Sequence, residues 1–326
     1  MTVHRRRNMA ALAAFSVLSV LGGTAGAQPD FPSKPIRLIV GSPPGGAPDT
    51  VARIVAQSMN IGQPVIVENR NGAASMIAAE AVARAAPDGY TLLIGSQTVM
   101  AVAPIINKVK SFDPQKDFTG VALIGSAPLV LVAGSALKAN TVPEIIELAK
   151  SKPGVLDYGN GGVGTSPYMA GALFSVMTGT KITSIPYPGE QAAMTEIIGG
   201  RLPMMFANAS AAMPHVKSGR LRGIAVTSPA RVDVAAGLPT VAESGIPGFE
   251  IGTWLGIMAP TGTPTAVVDK INAEIRRVIA DPAVKEKLTT QGFVLVDETP
   301  DQFNRYLKTE YAKWSKLIKD ADIKAE

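Results

Sequence analysis

Short apolar runs alternate with segments of helical periodicity in the part of the chain that follows residue 30. Ile36–Val40, Val65–Val67 and Thr91–Gly95 have the length and composition of buried strands. Asp49–Met59 and Ile77–Ala85 lie between them and place their apolar residues on one helical face. This βαβαβ order predicts a parallel sheet with right-handed crossover connections.

The same alternation continues through the middle of the chain. Further strands are predicted at Leu129–Ala133, Leu156–Gly159, Ile182–Pro186, Met204–Ala207 and Gly223–Val226. Further helices are predicted at Val99–Ile106, from a capping box at Thr141 to Lys150, at Pro167–Met177 and at Glu190–Ile198.

The last third of the chain is mainly helical. Thr263 is predicted as the N-cap of a helix that ends at Ala280, and Asp281 followed by a proline repeats this signal. Phe293–Val296 is predicted as a short strand, and a second capping box at Thr299 opens the final helix.

Because about 300 residues are many for one hydrophobic core, we predict an α/β protein of two lobes, each a mainly parallel sheet flanked by helices. Residues 28–127 and 253–326 are assigned to a discontinuous first lobe, and residues 128–252 to the second. The two chain crossings, near residues 125–128 and 252–256, are predicted to form a hinge.

The N-terminal residues 1–27 have the pattern of a signal peptide. Three arginines precede the apolar run Met9–Leu21, and the small residues Ala25-Gly26-Ala27 predict cleavage after Ala27. The whole chain carries a net charge of +5, but removal of this segment leaves 28 Lys and Arg residues against 26 acidic ones. The basic balance therefore does not indicate a nucleic-acid-binding protein.

The composition argues against several kinds of active site. The chain has no cysteine and only two histidines, of which His4 lies in the signal peptide and His215 is interpreted as a surface residue. The chain contains neither the G-x-S-x-G motif of serine hydrolases nor the H-E-x-x-H motif of zinc enzymes. Its acidic residues are not spaced like the ligands of a metal site. We therefore expect no enzymatic activity, cofactor or metal.

The stretch GSPPGGAPDTVAR, residues 41–53, joins the first strand to the first helix. Its glycines allow close backbone approach, and the amides of Gly45, Gly46 and Ala47 are expected to be free at the positive end of the helix. Without a P-loop lysine, this loop suits a carboxylate better than a nucleotide. Asp49 either benefits from the helix dipole, organises the loop or contacts a ligand ammonium group.

Two further loops have a similar construction. Residues 68–75 lie between a strand and a helix, and Ser75 is interpreted either as the cap of that helix or as a ligand donor. The loop GNGGVGTS, residues 159–166, is predicted to face the first two loops across a cleft, because ligands of open α/β sheets bind beyond the carboxyl ends of the strands. The residues predicted to bind the ligand are Ser42, Pro44, Gly45, Gly46, Asp49, Gly72, Ala73, Ala74, Ser75, Ser96, Gly161, Gly164, Thr165, Ser166, Tyr168, Tyr187 and Asn208.

A set of ordered motifs carries a resemblance to a known family. PPGGAPDTVAR, GQPVIVENR, APDGYTLLIG, PYPGEQAAMTEIIGG and LPTVAESGIPGFE occur in this order, and the similarity runs from about Phe31 to Glu326. The chain resembles the Bug family, the periplasmic solute-binding proteins of tripartite tricarboxylate transporters. The resemblance implies a two-lobed venus-flytrap fold of the type II periplasmic binding proteins.

The resemblance also implies a function and partners. It implies that the loops at Ser42–Asp49 and Gly72–Ser75 hold a small carboxylate, that Gly161–Ser166 and Tyr187 close over it, and that membrane permease subunits receive it. The protein is expected to be a monomer in the periplasm that binds no nucleic acid. A ligand sensor for a two-component kinase and an exported enzyme are the alternatives.

This chain departs from the family pattern at several cleft positions. It has Ser42 where the family usually has an aromatic residue, Tyr168 where a histidine is common, and Asn71-Gly72-Ala73-Ala74-Ser75 in place of PGAGG. These changes affect the walls of the cleft, so the identity of the solute does not follow from the resemblance.

Overall fold

A ten-stranded sheet runs through residues 31–324, the part of the chain that the computed structural model describes. Its strands are β1 (Ile36–Val40), β2 (Val65–Asn69), β3 (Thr91–Ser96), β4 (Phe118–Ala133), β5 (Asp157–Asn160), β6 (Thr183–Pro186), β7 (Met204–Asn208), β8 (Arg222–Val226), β9 (Gly252–Pro260) and β10 (Val294–Leu295).

Ten α-helices among the described residues cover the sheet. They are α1 (Ala47–Ser58), α2 (Met76–Ala83), α3 (Ala103–Ile106), α4 (Val142–Ser151), α5 (Ser166–Thr178), α6 (Glu190–Ile198), α7 (Ala209–Lys217), α8 (Thr265–Ala280), α9 (Pro282–Thr290) and α10 (Pro300–Asp320). A 3-10 turn at Ala73–Ser75 precedes α2, and a π-helix at Thr98–Val102 precedes α3.

The strands that the βαβ pattern predicts pair in parallel. β1 lies between β2 and β3, and β5 lies between β6 and β7, with parallel registers in all four pairs. The carboxyl ends of the strands in each set therefore share one edge of the sheet, where the predicted ligand loops begin.

The long strands β4 and β9 pass between the two parallel sets. Residues 118–128 of β4 pair antiparallel with β9, and residues 129–133 pair with β7 and β8. β4 thus changes partners between Pro128 and Leu129, next to one of the predicted hinge segments. The division into lobes stays a prediction, and below we call the β1–β3 side the first sheet half and the β5–β8 side the second.

The C-terminal helix α10 packs against both sheet halves. Phe303 and Leu307 lie in the apolar cluster that contains Trp254 of β9. Trp314 lies in the cluster formed around Phe174 of α5. The helix therefore connects the hydrophobic cores of the two halves along their side.

Helix starts follow the local signals in most cases. The side chains of Thr141, Asp281 and Thr299 accept the capping bonds that the sequence predicts, and Thr299 forms the complete capping box with Gln302. The prediction for Thr263 is wrong, because its Oγ1 donates to the carbonyl of Pro260 (2.7 Å) and α8 begins two residues later.

Candidate functional site

The carboxylate of Asp49 holds the first ligand loop together. Its side chain is buried and accepts bonds from the Gly45 amide (2.9 Å to Oδ2) and from Asn69 Nδ2 (2.8 Å to Oδ1). Arg53, one helical turn further along α1, pairs with it at 2.9 Å. Among the roles left open by the sequence, the structure therefore assigns Asp49 the organisation of the loop.

These bonds correct the prediction that the loop amides are free. Gly45 donates to Asp49, and Gly46 donates to the carbonyl of Pro43 (3.2 Å). Of the three predicted amides, that of Ala47 is left without a partner in the described chain. The protein's own carboxylate is tethered next to Gly45 and so occupies the donor that the sequence assigned to a ligand.

The second loop has an unusual backbone. Ala73, Ala74 and Ser75 have φ values of 47°, 51° and 70°, the left-handed region that L-residues with a Cβ rarely adopt. Ser75 precedes α2 but does not cap it, contrary to one prediction, and its Oγ donates to the carbonyl of Gly41 (3.1 Å). The hydroxyl therefore joins the second loop to the first.

Ala74→Gly is expected to raise the free energy of unfolding by about 1 kcal/mol. Ala74 is exposed and left-handed, so glycine removes backbone strain without removing a buried contact. Urea titration of the two proteins measures the change. An equal or lower midpoint for Ala74→Gly would show that the loop carries no such strain.

Asn69 and Gly41 bring the first two loops into direct contact. Asn69 Nδ2 donates to the Ser42 carbonyl (3.0 Å) as well as to Asp49. Gly41 is so close to Ser75 that a Cβ added to it would lie 2.2 Å from the serine Cβ. Because of these contacts, the two loops form one rigid surface at the edge of the first sheet half.

The third loop closes on itself through side chains of the second sheet half. Asn160 Oδ1 accepts from the Gly162 amide (2.9 Å), while its Nδ2 donates to Ser184 Oγ (2.8 Å). The Thr165 side chain caps α5 by accepting from the Tyr168 amide, and its hydroxyl group donates to the carbonyl of Gly162. The side chain of Thr165 therefore serves as the N-cap of α5.

Glu190, which is not among the predicted ligand-binding residues, connects the third loop to Asn208. Its carboxylate accepts from the Asn208 amide (2.6 Å) and from Asn208 Nδ2. A Cβ on Gly161 would lie 3.4 Å from the Glu190 amide. Burial raises the pKa of Glu190, and the bonds from Asn208 oppose this increase.

Tyr187 and Tyr168 are both half-buried in the second sheet half. The Tyr187 amide donates to the Asn160 carbonyl (2.9 Å), and its ring packs against the apolar cluster that includes Met194. The Tyr168 ring packs on the cluster around Phe174, and its carbonyl accepts from Tyr158. Both tyrosines thus support the walls of the second half.

A cavity of about 230 Å³ lies where the two sheet halves meet. Ala74 contributes to it from the second loop, and Val163 and Gly164 from the third. Its other lining residues follow β3, namely Thr98, Ala103, Ile106 and Asn107. The cavity is smaller than the ~300–1,000 Å³ that is usual for drug-sized ligands, which favours a small solute.

Two more predicted residues lie close to the crossing strands. Ser166 Oγ is 3.0 Å from Thr253 Oγ1 on β9, so the start of α5 contacts a strand that passes between the halves. Ser96 ends β3 opposite Leu255 of β9. Pro44 and Gly45 lie at the exposed tip of the first loop.

Gln97 is a second residue at the strand ends that was not predicted from the sequence. It follows β3 directly and is 1% exposed, yet neither its amide nitrogen nor its amide oxygen has a hydrogen-bond partner among residues 31–324. A glutamine two residues after the predicted strand Thr91–Gly95 was the available signal, but nothing local shows that the side chain is buried.

The described residues also bear on the other predictions. Within residues 31–324, no group of three or more His, Asp or Glu side chains is placed to hold a metal ion. Over the same residues, none of the helices combines the length and the apolar character needed to span a bilayer. The predicted signal peptide lies outside the described part of the chain.

Comparison with known proteins places this chain among solute-binding proteins. Residues 51–323 match the tripartite tricarboxylate transporter family receptor. BugT of Bordetella pertussis is 34% identical, with 95% of this chain and 97% of that protein covered. A Pseudomonas protein from the tcbD-tcbE intergenic region is 36% identical over 90% of this chain and 88% of its own length.

Solved structures agree with these sequence matches. An R. palustris protein with adipate is 32% identical, has a TM-score of 0.76 and covers 90% of this chain and 99% of that one. MatC from Rhodopseudomonas palustris with bound malate is 30% identical, with a TM-score of 0.73 and coverage of 88% and 100%. The periplasmic binding protein BugD is 31% identical, with a TM-score of 0.73 and coverage of 91% and 100%.

The predicted fold class, a two-lobed periplasmic binding protein, and the predicted Bug-family resemblance are thus confirmed. The chain belongs to the tripartite tricarboxylate transporter receptor family, whose members are periplasmic solute-binding proteins.

Proposed function

We propose that this protein captures a small carboxylate-bearing solute in the cleft between its sheet halves and delivers it to a tripartite tricarboxylate-type permease. The observation that carries this proposal is the cavity that loops from both halves line together. The bound adipate and malate in two related structures indicate the class of solute. No catalytic step is part of the proposed function.

Backbone amides and hydroxyl groups bind the acid in this proposal. The amide of Ala47 at the start of α1 and those of the second loop lie at the carboxyl edge of the first half, and the third loop and Thr165 face them from the second. Each hydrogen bond to a charged group contributes roughly 1.5–3 kcal/mol, so a few suffice for a Kd near ~1 μM.

Binding of the solute favours closure of the cleft, because some of its contacts form only when both sheet halves touch it. A ligand shifts the equilibrium towards the closed state by its differential affinity for that state. The proposed hinge comprises residues 125–128 and 252–256, where β4 changes partners and β9 begins. The contact between Ser166 and Thr253, a residue of the proposed hinge, fits this arrangement.

The remaining parts of the proposal concern location and partners. We propose that residues 1–27 are removed after Ala27 on export, and that the mature protein acts as a monomer in the periplasm. Its partners are then the solute and the membrane subunits of the permease, which recognise the closed form.

A thermal-shift screen of residues 28–326 tests the proposal. Adipate, malate, citrate and benzoate are the probes, and at a concentration of 100 Kd a bound acid stabilises the protein by about 2.7 kcal/mol. We expect at least one acid to raise the melting temperature by several degrees, because binding favours the folded state. Dimethyl adipate, which has the same chain without the charges, is the control and should have no effect.

Two outcomes would contradict the proposal. The first is that none of the acids raises the melting temperature. The second is that dimethyl adipate raises it as much as adipate does, since this would mean that the carboxylate is not recognised.

A further inference from the structure

Buried polar atoms without a partner concentrate at one edge of the sheet. Within the described chain, five such side-chain atoms occur, in four residues: Ser42, Gln97, His215 and Glu298. Three of the five are the Oγ of Ser42 and the two amide atoms of Gln97. A buried polar group without a partner is costly, so such atoms are rare unless a ligand or water satisfies them.

The strand register places Ser42 and Gln97 at the same edge of the sheet. β1 and β3 are parallel neighbours, with Ile39 opposite Leu93. Continuing this register by three residues brings Ser42 opposite Ser96, the residue before Gln97. Both unpartnered side chains therefore follow the carboxyl ends of adjacent parallel strands, where open α/β sheets bind their ligands.

The segment after Gln97 contributes four residues to the lining of the cavity, the first of which is Thr98, its neighbour in the chain. Thr98 is the first residue of the five-residue π-helix and lines the space between the sheet halves. Such π-helical turns are rare and occur frequently at functional sites. The four residues after Thr98, at positions 99–102, are buried and apolar, so the local chain offers Gln97 no side-chain partner.

We propose that Gln97, assisted by Ser42, binds a neutral hydrogen-bonding group of the solute and so determines specificity. An amide provides both donors and an acceptor, and a hydroxyl group satisfies both. A carboxylate only accepts, and a methylene group does neither. The solute is thus a hydroxylated carboxylic acid or one that carries a carboxamide, and this inference rests on the proposed function.

Matched pairs of acids test the inference by calorimetry. The pairs are succinate and malate, adipate and 3-hydroxyadipate, and benzoate and 4-hydroxybenzoate, each differing by one hydroxyl group. In at least one pair, we expect the wild-type protein to bind the hydroxylated acid about tenfold more tightly, because that acid satisfies the buried amide. Gln97→Met should reduce this ratio to less than about twofold, chiefly by weakening the binding of the hydroxylated acid.

Two further variants separate recognition from a structural role. Ser42→Ala should lower the ratio by about threefold with little change in fold. Gln115→Met makes the same substitution at an exposed glutamine and should keep the wild-type ratio. Gln97→Met should also retain or raise the urea midpoint of the unliganded protein, because it removes an unsatisfied amide. If Gln97 had a purely structural role, the substitution would lower this midpoint.

The outcomes distinguish this inference from the proposed function. Binding of the acids without a preference of more than about twofold in any pair would overturn the inference and leave the proposed function intact. A preference that survives both Gln97→Met and Ser42→Ala would do the same. If no acid of any kind binds the wild-type protein, the proposed function fails and the inference fails with it.

Discussion

Asp49→Asn is expected to lower the free energy of unfolding by about 2 kcal/mol at pH 7 and to weaken solute binding. The carboxylate accepts bonds from Gly45, Asn69 and Arg53, and asparagine cannot accept from all three. Since the Arg53 side chain is 44% exposed, the loss should be smaller than the ~3–5 kcal/mol measured for fully buried pairs.

The pH dependence of this difference has a definite sign. Burial alone would raise the pKa of Asp49, but the bonds from Arg53, Gly45 and Asn69 outweigh it and hold the pKa at about 2, below the ordinary 3.8. A lowered pKa stabilises the folded protein above the pKa of the unfolded state. The advantage of wild type over Asp49→Asn should therefore be complete above about pH 5, shrink below 3.8 and vanish below about 2.

Urea unfolding of both proteins at several pH values between 7 and 3 measures this change. Asp320→Asn is a matched control, because Asp320 pairs with Lys316 on the surface of α10, where such pairs contribute less than about 1 kcal/mol. A difference between wild type and Asp49→Asn that stays constant down to pH 3 would mean that the carboxylate does not hold the loop.

The elements with local signals were predicted closely. The bounds of α6 agree with the prediction at Glu190–Ile198, and the capping box at Thr299 marks the start of α10. Such features depend on residues within one or two turns, so a single sequence contains the information. Family membership was likewise predictable, because motifs along the entire mature chain carry it.

The long strands β4 and β9 were predicted less well from the sequence. β9 was predicted only as a chain crossing and the first half of β4 was not predicted, although β4 and β9 pair with each other over residues 118–128. Their stability as strands comes from partners more than a hundred residues away in the chain. Local periodicity does not encode such pairing.

For the site, too, the local features could be predicted from the sequence and the long-range contacts could not. The three loops and their place at the strand ends follow from glycines and helix starts. The partner of the Ser75 hydroxyl, in contrast, lies 34 residues away at Gly41, and the carboxylate of Asp49 is anchored 20 residues away by Asn69. Gln97 was missed because its importance comes from burial without a partner, which requires three-dimensional packing.

Gly41→Ala is expected to weaken solute binding at least about a hundredfold while the protein remains folded. The new Cβ would lie 2.2 Å from the Ser75 Cβ and 2.7 Å from its Cα, distances at which backbone must move. The second loop is then displaced, and the bond from Ser75 Oγ to the Gly41 carbonyl is lost. In enzymes a misplacement of about 1 Å can lower the rate about a hundredfold, and we expect a comparable loss of affinity when the binding groups of this surface are displaced.

A second substitution and a control make this result specific. Ser75→Gly in the Gly41→Ala protein removes the clashing Cβ and Oγ and suits the left-handed backbone at Ser75, so it should recover part of the affinity. Gly219→Ala places a Cβ in open space at φ +72°, and should cost about 1 kcal/mol of stability without changing affinity. Calorimetry with the best acid of the screen compares the four proteins. Wild-type affinity in Gly41→Ala would mean that the first two loops do not bind the solute as one surface, because a forced separation of Gly41 and Ser75 would then leave the solute contacts intact.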